Sequence, residues 1–288
     1  MRVPWTSFPP LKRAWHFLTV LVRRTLAASL TRSAAQLAYY SLFALFPFLM
    51  MLVSLARYLP IEGGVDAILA RASAVLPPAG YQVIEKQLHG VVGEAHPSLL
   101  STGFLLTMWA SSRAVDALRV ALNRANGVTE TRSFLRREAI AFGFTIAAAI
   151  SLLLGFALLV LGSHAGVAVV ERLGFGPGVQ QAMALTRWPL TIALVVLLAS
   201  CSYSFLPDSK RGFRLGSLGA LAATGAWWVA TWGFSRYVEN FGSFNLAYGS
   251  LGGVMLLLTW IYFSGFVFLV GAEIDAIRAG LVQPQSAP

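Results

Sequence analysis

Two sets of ionisable residues in this chain lie in or beside long apolar runs, where a charge costs about 2.5 to 3.5 kcal/mol unless it faces protein or water. The first is in WASSRAVDALRVALNRANG. A helix turning about 100° per residue gathers Ser112, Arg113, Asp116, Arg119, Asn123 and Arg124 into an arc of about 140°, with Ala110, Ala114, Ala117 and Ala121 opposite. The forked donors of such arginines suit an anionic headgroup. A plainer reading also stands: the helix has left the bilayer by Asp116 and this is its solvated side. The second set is Glu273 and Asp275, which end an apolar run free of charge from Gly249 to Val270. Two residues apart, they point about 200° apart around the axis and cannot share one cavity. Asp275 is expected to pair with Arg278, three residues on. Glu273 falls on the face of Tyr262, Phe266 and Leu269, and is expected to pair with Arg113 at a similar depth.

Other polar or helix-perturbing residues enter the apolar runs. Gln36, Tyr39 and Tyr40 open the first span at the same level, and Pro47 is expected to kink it about midway. Asn240, Gly242, Ser243, Asn245 and Tyr248 precede Gly249 and Gly253, a small-xxx-small spacing. This lead-in reads as tight packing, with a re-entrant or unwound gate as the sharper alternative. No catalytic residue and no cofactor is implied. His16, His89, His96 and His164 are scattered, so no metal site forms from spacing alone. There is no glycine-rich nucleotide loop ending in Gly-Lys and no Gly-x-Ser-x-Gly elbow. The single cysteine, Cys201, excludes an intrachain disulfide.

These residues must be positioned by membrane helices. Of 288 residues 57% are hydrophobic and 12% charged, and the mean hydropathy is +0.67, against roughly 25% charged in ordinary soluble domains. The class expected is all-α: a polytopic membrane protein with six spans. The apolar windows are Ala34 to Leu59, Ser98 to about Leu118, Ala139 to Ser163, Trp188 to Leu206, Phe213 to Tyr237 and the closing run from Gly249. A soluble bundle would need charged outer faces that these windows lack. Residues 1–33 form a cytoplasmic segment whose stretch Leu11 to Leu30 is amphipathic and suits a helix lying on an anionic leaflet. Residues 34–278 form the membrane domain, with short outer-side helices in 60–97, and 279–288 form a disordered tail.

The net charge of +10 is distributed by membrane side rather than gathered in one domain, so no nucleic-acid partner is implied. Arginines and lysines crowd before the first span, after the second and after the fourth. By the positive-inside rule both termini are cytoplasmic.

Four blocks resemble the YihY/BrkB family of bacterial inner-membrane proteins: AAQLAYYSLFALFPFL, WASSRAVDALRVALNRANGV, RSFLRREAIAF and NFGSFNLAYGSLGGVMLLLTWIYFSGFVFLVGAEIDA. The resemblance covers most of the membrane region, and the last block is the most specific. It implies six spans, a plasma-membrane location and a link in some members to virulence and serum resistance. Members were once labelled a tRNA-processing ribonuclease, for which this sequence offers no clustered ligands. The leading functional reading is a transporter or flippase of an amphiphilic anionic envelope lipid, a phospholipid or lipopolysaccharide precursor, with membrane lipids as partners. Arg113, Arg119 and Arg124 would contact the headgroup, with Glu273 as counter-ion or proton-linked switch. A non-transporting envelope-assembly scaffold and a small-solute or ion permease are the alternatives, and the oligomeric state is open.

Overall fold

The computed structural model describes residues 10–26, 29–56, 97–161, 177–209, 212–239 and 250–279. Among them are seven helices: α1 (Pro10–Leu26), α2 (Ser29–Ala56), α3 (Pro97–Asn126), α4 (Phe134–Leu161), α5 (Pro177–Phe205), α6 (Leu218–Glu239) and α7 (Ser250–Arg278). The described part of each of the six apolar windows falls largely on one of α2 to α7, and α1 lies in the N-terminal amphipathic segment. The segment 60–97 apart from its last residue, the tail beyond 279, and the candidate residues Asn245 and Gly249 lie outside the described residues.

Local chemistry explains where these helices stop. Gly127, at φ 63°, ends α3: its amide donates to the Arg124 carbonyl at 3.0 Å, and the Val128 amide to the Asn123 carbonyl at 3.0 Å. This paired pattern is a Schellman stop, which places one residue in a left-handed conformation that glycine adopts without strain. The fifth apolar window begins at Phe213, but its helix begins only at Leu218. Ser217 starts α6 instead, because its hydroxyl accepts the Ala220 amide at 3.2 Å and caps the first turn. Pro47 falls inside α2, which is helical on both sides of it, and Pro189 sits inside α5.

Among the described residues three segments are long and apolar enough to cross a bilayer: Phe134–Gly155, Leu185–Phe205 and Gly252–Arg278. Only 11%, 28% and 11% of their most apolar windows are buried in protein. Leu152, Leu153, Leu185, Leu190 and Val229 are among the large apolar side chains left uncovered. Helices apolar on the outside as well as the inside need lipid, because water would leave that surface unburied. The chain is therefore an α-helical membrane protein.

Two compact units divide the chain. One comprises Ala28–Leu118 and Ala226–Val267. In it Gly265 of α7 packs on Ala34 and Leu37 of α2, the Phe43 and Trp109 rings meet edge-on at 6.5 Å, and the Trp227 indole donates to Ser264 Oγ at 2.9 Å. The other comprises Met1–Ala27, Arg119–Gly225 and Phe268–Pro288. Its fully buried side chains include Leu122, Leu206 and Leu269, and Gly155 of α4 packs on Leu194 of α5.

Candidate functional site

The densest polar chemistry lies in this second unit, where the C-terminal ends of α1, α3, α5 and α7 meet the N-terminal side of α6. Two turns are clasped there. Arg119, with 4% of its side chain exposed, forms an ion pair with Glu130, and Asn123 Nδ2 donates to the same carboxylate at 2.9 Å. Asn123 Oδ1 accepts the Asp208 amide at 2.8 Å, so one asparagine ties the α3–α4 turn to the α5–α6 turn. Arg132 donates to the carbonyls of Leu206 at 2.9 Å and Pro207 at 2.7 Å, groups left without helical partners just beyond α5. Its Nε stands 3.2 Å from Asp208 Oδ1. Asp208 Oδ2 accepts the Thr131 hydroxyl at 2.5 Å and the Thr131 amide at 2.8 Å. Those bonds, with Arg132 beside them, hold the Asp208 carboxyl below the usual carboxylate range.

A second contact joins α1 to α7. Arg24 Nε lies 2.8 Å from Glu273 Oε2, and its terminal nitrogen donates to the Ala125 carbonyl at 3.2 Å. The same guanidinium thus neutralises a buried acid and satisfies a carbonyl in the last turn of α3. The expected partner of Glu273 was Arg113; the side chain that closes on it comes instead from the N-terminal helix. Sequence offered no reason to choose Arg24 from the many arginines of that segment, since only the packing of α1 on α7 selects it.

Asp275 also has a different partner from the one expected. Rather than pairing with Arg278, its Oδ1 accepts the Gly219 amide at 2.8 Å, so α7 caps α6 with a negative charge where the helix dipole favours one. This requires a close crossing. A Cβ on Gly271 would lie 2.6 Å from Ala223 Cβ, the Gly219 carbonyl and the Tyr203 hydroxyl; one on Gly219 would lie 2.6 Å from Asp275 Cγ. Only glycine fits at either position. Tyr203 reaches across beside the crossing and donates to the Phe268 carbonyl at 2.5 Å. Next to it is a cavity of about 270 Å³ whose walls include Tyr203, Ser204, Arg214, Ser217, Asp275 and Arg278.

The sequence-derived candidates are thus distributed over both units. Arg119, Asn123, Arg124, Glu273, Asp275 and Arg278 belong to the unit just described, with Arg119, Asn123 and Glu273 buried and Arg124 and Arg278 exposed. Gln36, Tyr40, Pro47, Arg113, Asp116, Gly253 and Tyr262 belong to the other. Among those, Gln36 is exposed, Tyr40, Arg113, Asp116 and Tyr262 are half-buried, and Gly253 is buried. The solvated reading of the α3 face fails at Arg119 and Asn123, which the two turns cover. Sequence reasoning missed Arg24, Glu130, Thr131, Arg132 and Asp208 as members of one network. Glu130 and Asp208 lie in short polar turns, where a carboxylate ordinarily faces solvent, so no local signal marked them.

Among the described residues no three His, Cys, Asp or Glu side chains stand together as a metal site. What the arrangement can do is hold helices in register and present arginines at one end of an otherwise apolar unit. These features define a polytopic helical membrane protein whose densest polar contacts, among the described residues, lie at helix ends. The profile described as virulence factor BrkB matches residues 21–287, and the chain belongs to that family. YfkH of Bacillus subtilis, whose name describes it as ribonuclease-like, is 31% identical over 244 residues, covering 85% of this chain and 88% of that one. UPF0761 membrane proteins of Aliivibrio salmonicida and Photobacterium profundum are each 27% identical over 273 residues, which is 92% of this chain and 84% and 82% of theirs. No solved structure matches the chain.

Proposed function

We propose that this protein moves an anionic amphiphile, a phospholipid or lipopolysaccharide precursor, between the leaflets of the bacterial inner membrane, without catalysing a reaction or hydrolysing ATP. The observation that carries this reading is the division of one unit into apolar helix sides with little protein cover and one arginine-rich end. An amphiphile has the same division. The positive-inside rule puts that basic end, and both termini, in the cytoplasm. Arg119 is committed to Glu130 and serves the frame, and exposed Arg124 of the same unit is the headgroup contact. Glu273, buried against Arg24, is the group on which coupling rests.

The test is leaflet exchange of a tail-labelled phosphatidylglycerol in proteoliposomes, read by quenching of the outer leaflet. Wild-type protein should exchange it faster than empty vesicles, and Arg124→Ala and Glu273→Gln should slow it. Equal exchange in empty, wild-type and variant vesicles refutes the reading and favours a scaffold that organises envelope assembly.

A further inference from the structure

The cavity beside the α6–α7 crossing is not used by the clasp or by the Arg24–Glu273 pair, and its walls have a distinct chemistry. Arg214 comes from the turn before α6 and Arg278 from the last turn of α7. Both are exposed, and among the described residues neither meets a carboxylate at ion-pair distance, unlike Arg24, Arg119 and Arg132. The one acid in the wall, Asp275, already accepts the Gly219 amide. Two guanidinium groups against one occupied carboxylate leave the cavity a net cation. Ser204 adds a hydroxyl. At about 270 Å³ the space is below the roughly 300 to 1,000 Å³ of sites that enclose a whole drug-sized ligand. It suits a headgroup rather than a whole lipid.

The geometry points to a phosphoryl-binding site in this cavity, with Arg214 and Arg278 as its anion ligands. Two arginines carried on different segments present separate donor forks, which match a group with several equivalent oxygens better than a carboxylate with two. The phosphoryl group belongs either to a lipid headgroup or to a free phosphate, and only the lipid case rests on the transport reading above.

The test uses the full chain in detergent. Inorganic phosphate is titrated by calorimetry, and retention of phosphatidic acid against diacylglycerol, which lacks the phosphate, is read by native mass spectrometry. Arg214→Ala, Arg278→Ala and the double variant are compared with Arg136→Ala, which removes an exposed arginine outside the cavity. Binding by the double variant should fall at least tenfold while Arg136→Ala binds as wild type, with all four variants melting near wild type. Arg214→Lys and Arg278→Lys, which keep charge and lose the fork, should bind with intermediate strength. Preference for phosphatidic acid assigns a lipid headgroup; binding of inorganic phosphate alone keeps the site and removes its link to lipid transport. If wild type binds neither probe, or if Arg136→Ala weakens binding as much as the cavity variants, the site is overturned.

Discussion

Replacing Gly271 by alanine should open the α6–α7 crossing. The added Cβ would sit 2.6 Å from three groups at once: Ala223 Cβ, the Gly219 carbonyl and the Tyr203 hydroxyl. Two of these are fixed by helix backbone, and Tyr203 is held by its bond to the Phe268 carbonyl. Ordinary carbon contacts begin near 3.5 Å, so the helices must part by about 1 Å. Overpacking of this kind costs about 1 to 3 kcal/mol. Parting also stretches the bond from the Gly219 amide to Asp275, now 2.8 Å, and a hydrogen bond to a charged group is worth about 1.5 to 3 kcal/mol. Alanine's better helix propensity returns about 1 kcal/mol. The net loss is about 2 to 4 kcal/mol, and the apparent Tm in detergent, followed by tryptophan fluorescence, should fall by roughly 5 to 12 °C. Gly219→Ala should do the same, and the double variant should lose less than the sum because one separation relieves both clashes. Gly225→Ala is the control: it lies on α6 with nothing within 4 Å of its would-be Cβ, and should be neutral or slightly stabilising. A Gly271→Ala variant that melts with Gly225→Ala would refute the close crossing.

Three further outcomes follow from the same network. Arg24→Ala strands a buried carboxylate and should cost about 3 to 5 kcal/mol, whereas adding Glu273→Gln should recover much of the loss; additive melting shifts in that double-mutant cycle would show that the pair does not couple. Arg119→Ala should destabilise the protein more than Arg124→Ala, since Arg119 is buried on Glu130 and Arg124 is exposed; equal melting temperatures would place Arg119 outside the frame. For Asp208, whose folded carboxyl is held below its ordinary value by Thr131 and then Arg132, the stabilisation is full above the unfolded value of about 3.9 and lost as pH falls through the folded one. The melting curves of wild type and Asp208→Asn should therefore differ at neutral pH and converge below about pH 4; a gap unchanged by acid would count against that linkage.

The apolar windows and helix α1 were legible in the sequence because burial in lipid depends on long runs of side chains, a property of composition and period. The stop at Gly127 obeys a local rule of the same kind, because a left-handed backbone residue selects glycine. Angular spacing along α7 also separated Glu273 from Asp275, and they do have different partners. The partners themselves were not legible. Arg24 lies 249 positions from Glu273, and Asp208 lies 77 from Thr131 and 85 from Asn123. Nothing in the local spacing of a charged residue says which distant opposite charge will meet it. Membrane class and the basic character of the helix ends were thus determined by sequence alone. Which arginines became locked into the frame and which were left to face a cavity was decided by the tertiary structure, because ion pairing depends on distances of a few ångströms that only helix packing sets.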